Sequence, residues 1–175
     1  MGFDSISLRK NHSRGYPAVN SGKSFRIILL EVIGPFVQRI RFLILQIKGY
    51  RNISPKAIIE RNVNLDRVYP ESIYIGDGSL VASSVTLLCH EHVYREPGNA
   101  ELPLHNPVRI GMRCFIGVSA IVLPGVTIGD DCIIGAGSVV TNNIPAGSVA
   151  VGNPARVIRS GIRLNDQAVI KLAPE

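Results

Sequence analysis

Residues 110–145 read IGMRCF IGVSAI VLPGVT IGDDCI IGAGSV VTNNIP, six consecutive hexads with no residue inserted or lost. Their leading positions are Ile110, Ile116, Val122, Ile128, Ile134 and Val140, and a glycine follows the leader at Gly111, Gly117, Gly129 and Gly135. The fifth position is compact or branched throughout: Cys114, Ala120, Val126, Cys132, Ser138 and Ile144. Such a period predicts flat strands of two or three residues joined at sharp corners, where glycine permits unusual dihedrals, with three hexads to a coil of eighteen residues. Stacked coils place residue i over i+18 at a spacing of about 4.8 Å. Ile110 should then lie under Ile128, Ile116 under Ile134 and Cys114 under Cys132, so two of the three cysteines become core.

An alternating βαβ fold would need helix-period segments between its strands, and 108–144 contains none. A propeller or sandwich would need longer strands. The same spacing appears upstream as Ile53, Ile59 and Leu65, then in a shifted phase as Ile75, Val81 and Leu87, with Gly76 in IGDGSL. The expected fold class is therefore all-β, a parallel β-helix of hexapeptide coils over 53–145, preceded by an N-terminal, partly helical segment, 1–52. After Pro145 the sequence GSVAVGNPARVIR leaves the register and its prolines should end the ladder, so 146–175 is expected to form a C-terminal cap and tail.

Ile110 follows Leu87 by 23 positions, which is no multiple of six. The stretch between, about 89–107, is polar and carries His90, His92 and His105, three of the four histidines. It must leave the coil as a loop, and a long loop in a regular solenoid is usually there for function. A histidine in a polar loop is more often a solvated side chain than a catalyst. His90 and His92, flanking Glu91 where the coil gives way, are the candidates for chemistry.

The 175 residues suit one domain, and 46% hydrophobic against 18% charged residues excludes a largely disordered chain. Seventeen glycines and only 6% aromatics fit a core of small and branched aliphatics. The three cysteines form no CxxC pair and follow no signal peptide, so reduced thiols in a cytoplasmic protein are expected. The net charge of +6 favours anionic partners. Nucleic acid is not expected among them, because the basic residues are scattered and no nucleic-acid-binding motif accompanies them.

From Phe25 to Tyr50 the chain reads FRIILLEVIGPFVQRIRFLILQIKGY. Arg26, Glu31, Arg39, Arg41 and Lys48 interrupt the aliphatics, so the segment should not span a bilayer, and Gly34-Pro35 should break a helix. One or two helices packed on the main body are expected here. The sharper alternative is a basic amphipathic element, within residues 25–50, that touches the inner face of a membrane.

The run from Ile110 to Arg159, with IGDDCIIGAGSVVTNNIPAGSVAVGNPARVIR, resembles the hexapeptide-repeat acyltransferases, in particular the branch of galactoside, maltose, nodulation-factor and surface-polysaccharide O-acetyltransferases. The resemblance covers roughly residues 53–160. It implies a left-handed coil, a homotrimer, acetyl-CoA as co-substrate in a groove between subunits, no metal, and a loop histidine that deprotonates the acceptor hydroxyl. In that family the histidine follows a coil similar to IGDxxxIAxxVTL, and this chain has IGDGSLVASSVTLLCH ending at His90. His92 is the second choice, and Glu91 is the candidate for orienting the ring. A hydroxyl is a poor nucleophile at neutral pH, and an imidazole can take its proton as it attacks the thioester without a covalent acyl-enzyme.

For acetyl-CoA the resemblance points to Gly117 and Ala136, to Asn142 where relatives carry lysine, and to Arg156 and Arg159 for phosphates. The bland reading of Gly117 is the corner it makes. Residues 65–75 shift the phase, so the acceptor is no more specific than a sugar, glycan or lipid-linked saccharide, and O- versus N-acetylation stays open. Two other classes share the architecture. A zinc enzyme of the γ-carbonic anhydrase type would need histidines on the later coils, and none follows His105. A non-catalytic scaffold would keep the repeat and could dispense with His90.

Overall fold

The computed structural model of the chain describes residues 25–96 and 99–169, with side chains over 36–92 and 104–169. Residues 1–24 of the expected N-terminal segment and the tail from 170 lie outside the described residues. The chain divides into two compact units, 1–36 and 37–175. Helix α1 (Phe25–Ile47) runs through Gly34-Pro35 without a break, against the expectation. Proline removes one main-chain hydrogen bond, and the leucines, isoleucines and arginines on both sides propagate the helix past it. Among the described residues no helix is long and apolar enough to cross a membrane.

The second unit is a three-faced parallel solenoid. Its first sheet stacks β1 (Ile58–Ile59), β4 (Leu80–Val81), β9 (Phe115–Ile116), β12 (Ile133–Ile134) and β14 (Val149–Gly152), edged by the antiparallel β15 (Ala155–Arg159). The second holds β2 (Asn64–Leu65), β5 (Thr86–Leu87), β10 (Ile121–Val122) and β13 (Val139–Val140), and the third β3 (Ile73–Ile75), β8 (Val108–Ile110) and β11 (Thr127–Ile128). Ile110 pairs with Ile128, Ile116 with Ile134, and Val122 with Val140. The 18-residue stacking is therefore the one the hexads predict.

Inside run three aliphatic columns, among them Ile75, Ile110 and Ile128 on one face and Leu65, Leu87, Val122 and Val140 on another, all buried. Cys114 and Cys132 are buried as expected, and each donates its thiol to a carbonyl of the following coil, Gly129 at 3.0 Å and Pro145 at 3.2 Å.

The glycines work differently from the expectation. Those after the leading aliphatic are not the residues with positive φ. They are glycine because the next coil leaves no room: a Cβ on Gly117 would lie 2.6 Å from the Ala136 nitrogen. The left-handed corner residue is the fourth of each of the first five hexads, Arg113, Ser119, Gly125, Asp131 and Gly137, with φ from +54° to +81°.

Spacing elsewhere locates the irregularities. Ile53 bridges Ile75 across 22 positions, and Ile75 pairs with Ile110 across 35. Both surpluses over eighteen fall at the edge where the second sheet passes to the third. The first is the turn Asp66–Ser72; the second is a β-hairpin of β6 (His90–Glu96) and β7 (Asn99–His105) rather than an irregular loop.

The ladder also outlasts Pro145, with Ile144 bridging Ile128 and Ala150 pairing with Ile134, two residues short of full register. Beyond β15 the chain does more than cap the last coil. Ile162, Leu164 and Ala168 pack on Leu80, Phe115, Ile133 and Val149, the outward row of the first sheet. Asp131 pins this strap by accepting from the Leu164 N–H at 3.1 Å, while Arg113 holds both of its carboxylate oxygens at 2.9 Å.

Candidate active site

His90 stands at the first residue of the hairpin, where the chain turns out of the coil. Its neighbour Cys89 is fully buried, so the backbone entering β6 is fixed by the core. On the coil before, Leu65 is buried under Leu87 and the next residue, Asp66, is placed directly against this exit. The Asp66 Oδ2 accepts from the Cys89 N–H at 2.8 Å and lies 2.5 Å from the His90 Nδ1. Its Oδ1 accepts from the N–H groups of Val68 and Tyr69 at 2.9 and 3.3 Å.

The Asp66 side chain is fully buried and that of His90 is 15% exposed. Burial alone would push the Asp66 carboxyl up, yet the Cys89 N–H, the His90 ring and the Val68 and Tyr69 N–H groups outweigh it and hold the carboxyl below its usual value. Asp66 is thus ionised. An ionised carboxylate can only accept, so Nδ1 of His90 is the donor, and in the neutral tautomer that geometry selects the lone pair sits on Nε2. The Tyr50 hydroxyl donates to the Asp66 carbonyl at 3.1 Å and ties the turn to the end of α1.

Aromatic rings surround the pair. Tyr69 stacks on His105 at 4.2 Å between centroids, 10° from parallel, and stands edge-on to His90 at 5.8 Å. His92 stands edge-on to His90 at 5.0 Å, and β6 pairs with β7 so that His90 faces His105. The structure therefore gathers the three loop histidines at one edge with Asp66 and Tyr69, two residues not foreseen as site residues. The carboxylate against Nδ1 is Asp66 and not Glu91, which sits in the hairpin ladder opposite Leu104. The sequence signal that locates Asp66 is the phase shift after Leu65.

The residues expected to hold acetyl-CoA lie elsewhere. Gly117 and Ala136 are stacked at the edge between the first and second sheets, Gly117 buried and Ala136 exposed. Asn142 lies on the His90 edge two coils further on, and its amide donates to the Thr141 hydroxyl at 3.0 Å. Arg156 and Arg159 are exposed on β15, opposite Val151 and Val149. Among the described residues no three His, Cys, Asp or Glu side chains are grouped to hold a metal ion.

The described residues thus form a parallel hexapeptide solenoid with a buried carboxylate and a histidine where a hairpin leaves one edge, and known proteins resemble it in sequence and fold. Residues 107–142 match the family described as hexapeptide repeat of succinyl-transferase. The chain is 48% identical over 111 residues to nodulation protein L of Rhizobium leguminosarum bv. viciae, covering 63% of this chain and 58% of that one. It is 43% identical over 107 residues to galactoside O-acetyltransferase of Escherichia coli K12, covering 61% and 51%. The chain thus matches between half and three fifths of the length of these curated relatives. Its fold is similar to that of a maltose O-acetyltransferase from Clostridium difficile 630, with a TM-score of 0.53, 27% identity, and coverage of 78% of this chain and 89% of that one.

Proposed function

We propose that this chain is an acetyltransferase that moves the acetyl group of acetyl-CoA to a hydroxyl of a sugar or glycan, with His90 as general base. The observation that carries the reading is the Asp66–His90 pair, a buried carboxylate on Nδ1 at the mouth of the hairpin. The Nε2 lone pair takes the hydroxyl proton as the oxygen attacks the thioester carbon; the C–O bond forms, the C–S bond breaks, and the proton passes to the departing CoA thiolate. Transfer is direct, with no acyl-enzyme. Relatives named for galactoside and maltose O-acetylation support a saccharide acceptor.

The coil is read as left-handed and the assembly as a homotrimer. Within one chain His90 and the Gly117–Ala136 corner occupy different edges of the prism, which supports a site completed by a neighbouring copy. The fit of this corner to a pantetheine arm rests on Ala136 and Gly137, exposed residues where an added Cβ on Gly137 meets nothing within 4 Å. The tight packing of Gly117 is explained by the coil above it. Arg156 and Arg159, exposed on β15, are the residues we assign to phosphates, with Asn142 contributing a neutral contact.

The test is CoA release with a panel of sugars and glycans, comparing wild type with His90→Ala. Loss of turnover on the order of 100-fold with acetyl-CoA binding retained supports the assignment, and the best acceptor names the substrate class. If the wild type neither binds nor turns over acetyl-CoA, the transferase reading fails and a scaffold role replaces it.

A further inference from the structure

From Val37 to Ile47 the helix has two faces of different fate. Leu45 packs on the solenoid core, and the Arg41 guanidinium donates to the Ile59 carbonyl at 3.1 Å, which fixes one face against the first coil. The face turned away carries Val37, Ile40, Leu43, Ile44 and Ile47, between 42% and 86% exposed. At 100° per residue these five side chains fill one arc of about 120°. Arg39 borders the arc on one side and Lys48 on the other, and both are exposed. From Phe36 to Ile59 the chain holds five basic residues, Arg39, Arg41, Lys48, Arg51 and Lys56, and no acidic one.

We propose that this face lies on an anionic lipid surface, with the aliphatic arc sunk among the acyl chains and Arg39 and Lys48 at the level of the headgroups. An aliphatic arc bordered by cations on both sides is the pattern of a helix lying in the membrane interface plane, where buried apolar area and attraction to anionic headgroups add. Charge argues against a second copy as occupant. Two such faces laid together would bring Arg39 and Lys48 of each chain against those of the other, with no carboxylate between Phe36 and Ile59 to pair with them. The inference does not depend on the acetyl-transfer reading, and its test uses no turnover.

The experiment is flotation of the full chain with vesicles of phosphatidylcholine alone and of phosphatidylcholine mixed with phosphatidylglycerol. The chain should float with the mixed vesicles and be left behind by neutral ones, and added salt should release it. Leu43→Glu and, separately, Arg39→Glu with Lys48→Glu should each weaken binding by roughly tenfold or more, with thermal unfolding unchanged. Ile47→Gln, at the most exposed position of the arc, provides a milder second variant should Leu43→Glu not fold. Three results overturn the proposal: no flotation with either vesicle, flotation indifferent to both sets of substitutions, or a change in the sedimentation coefficient of lipid-free Leu43→Glu. The last would assign the face to a second copy of the chain.

Discussion

Asp66 is held by four groups that favour its charge, so replacing it separates chemistry from packing. Asp66→Asn keeps the volume and an acceptor for the Cys89 N–H, but it offers Nδ1 no full negative charge. We expect kcat to fall between about tenfold and 100-fold while KM for acetyl-CoA holds. Steady-state kinetics on matched, folded protein checks this, and a rise in KM alone would argue for a packing role. The wild type should also lose stability in acid. A carboxyl whose folded value is depressed contributes stability above its unfolded value, and that contribution vanishes as pH falls through the folded one, here below about pH 4. The same acid titration of Asp66→Asn should be flatter. His90 was legible in the sequence because it ends a coil that reads like its relatives. Asp66 was not, because its role depends on a neighbour 24 positions away and on a turn visible only as a slipped phase.

At the scale of the element, the hexad has two constrained corner positions with different physical causes. Gly117 lacks space, while Gly137 has space and needs positive φ. Gly117→Ala should therefore cost about 1–3 kcal/mol, since backbone of the next coil must move, and Gly137→Ala about 1 kcal/mol of local strain. Urea midpoints at matched m-values measure both, and a cost for Gly137→Ala above that for Gly117→Ala would contradict the distinction. The leading aliphatics and the 18-residue stacking were readable because inward positions are all filled by one chemical kind. The left-handed fourth position was not, since Arg, Ser, Gly and Asp share it and no residue type marks it. Pro145 misled for a related reason: it sits in a corner, where the lost N–H leaves the parallel pairing of β14 intact.

For the whole molecule, the separation of His90 from the Gly117–Ala136 corner makes a prediction about mixed assemblies. His90→Ala and Ala136→Trp chains, each expected to be inactive alone, should regain about a quarter of wild-type turnover when assembled at equal ratio, because one site in four would draw an intact histidine and an intact corner from different chains. Turnover that stays at background in the mixture would place both parts of the site within one chain, and an Ala136→Trp chain active alone would deny Ala136 a role. The order of the coils was available from sequence; which residues share an edge was not, because the 22- and 35-residue coils had first to be brought to a common frame.

That frame puts the extra turn and the hairpin on the same edge of successive coils, and leaves the other two edges in nearly unbroken register. Length can thus be added or removed along this edge without disturbing the stacking elsewhere. The prism behaves as a fixed spine with one editable margin. Chains of this kind can exchange margins by recombination while the spine that orders them stays the same.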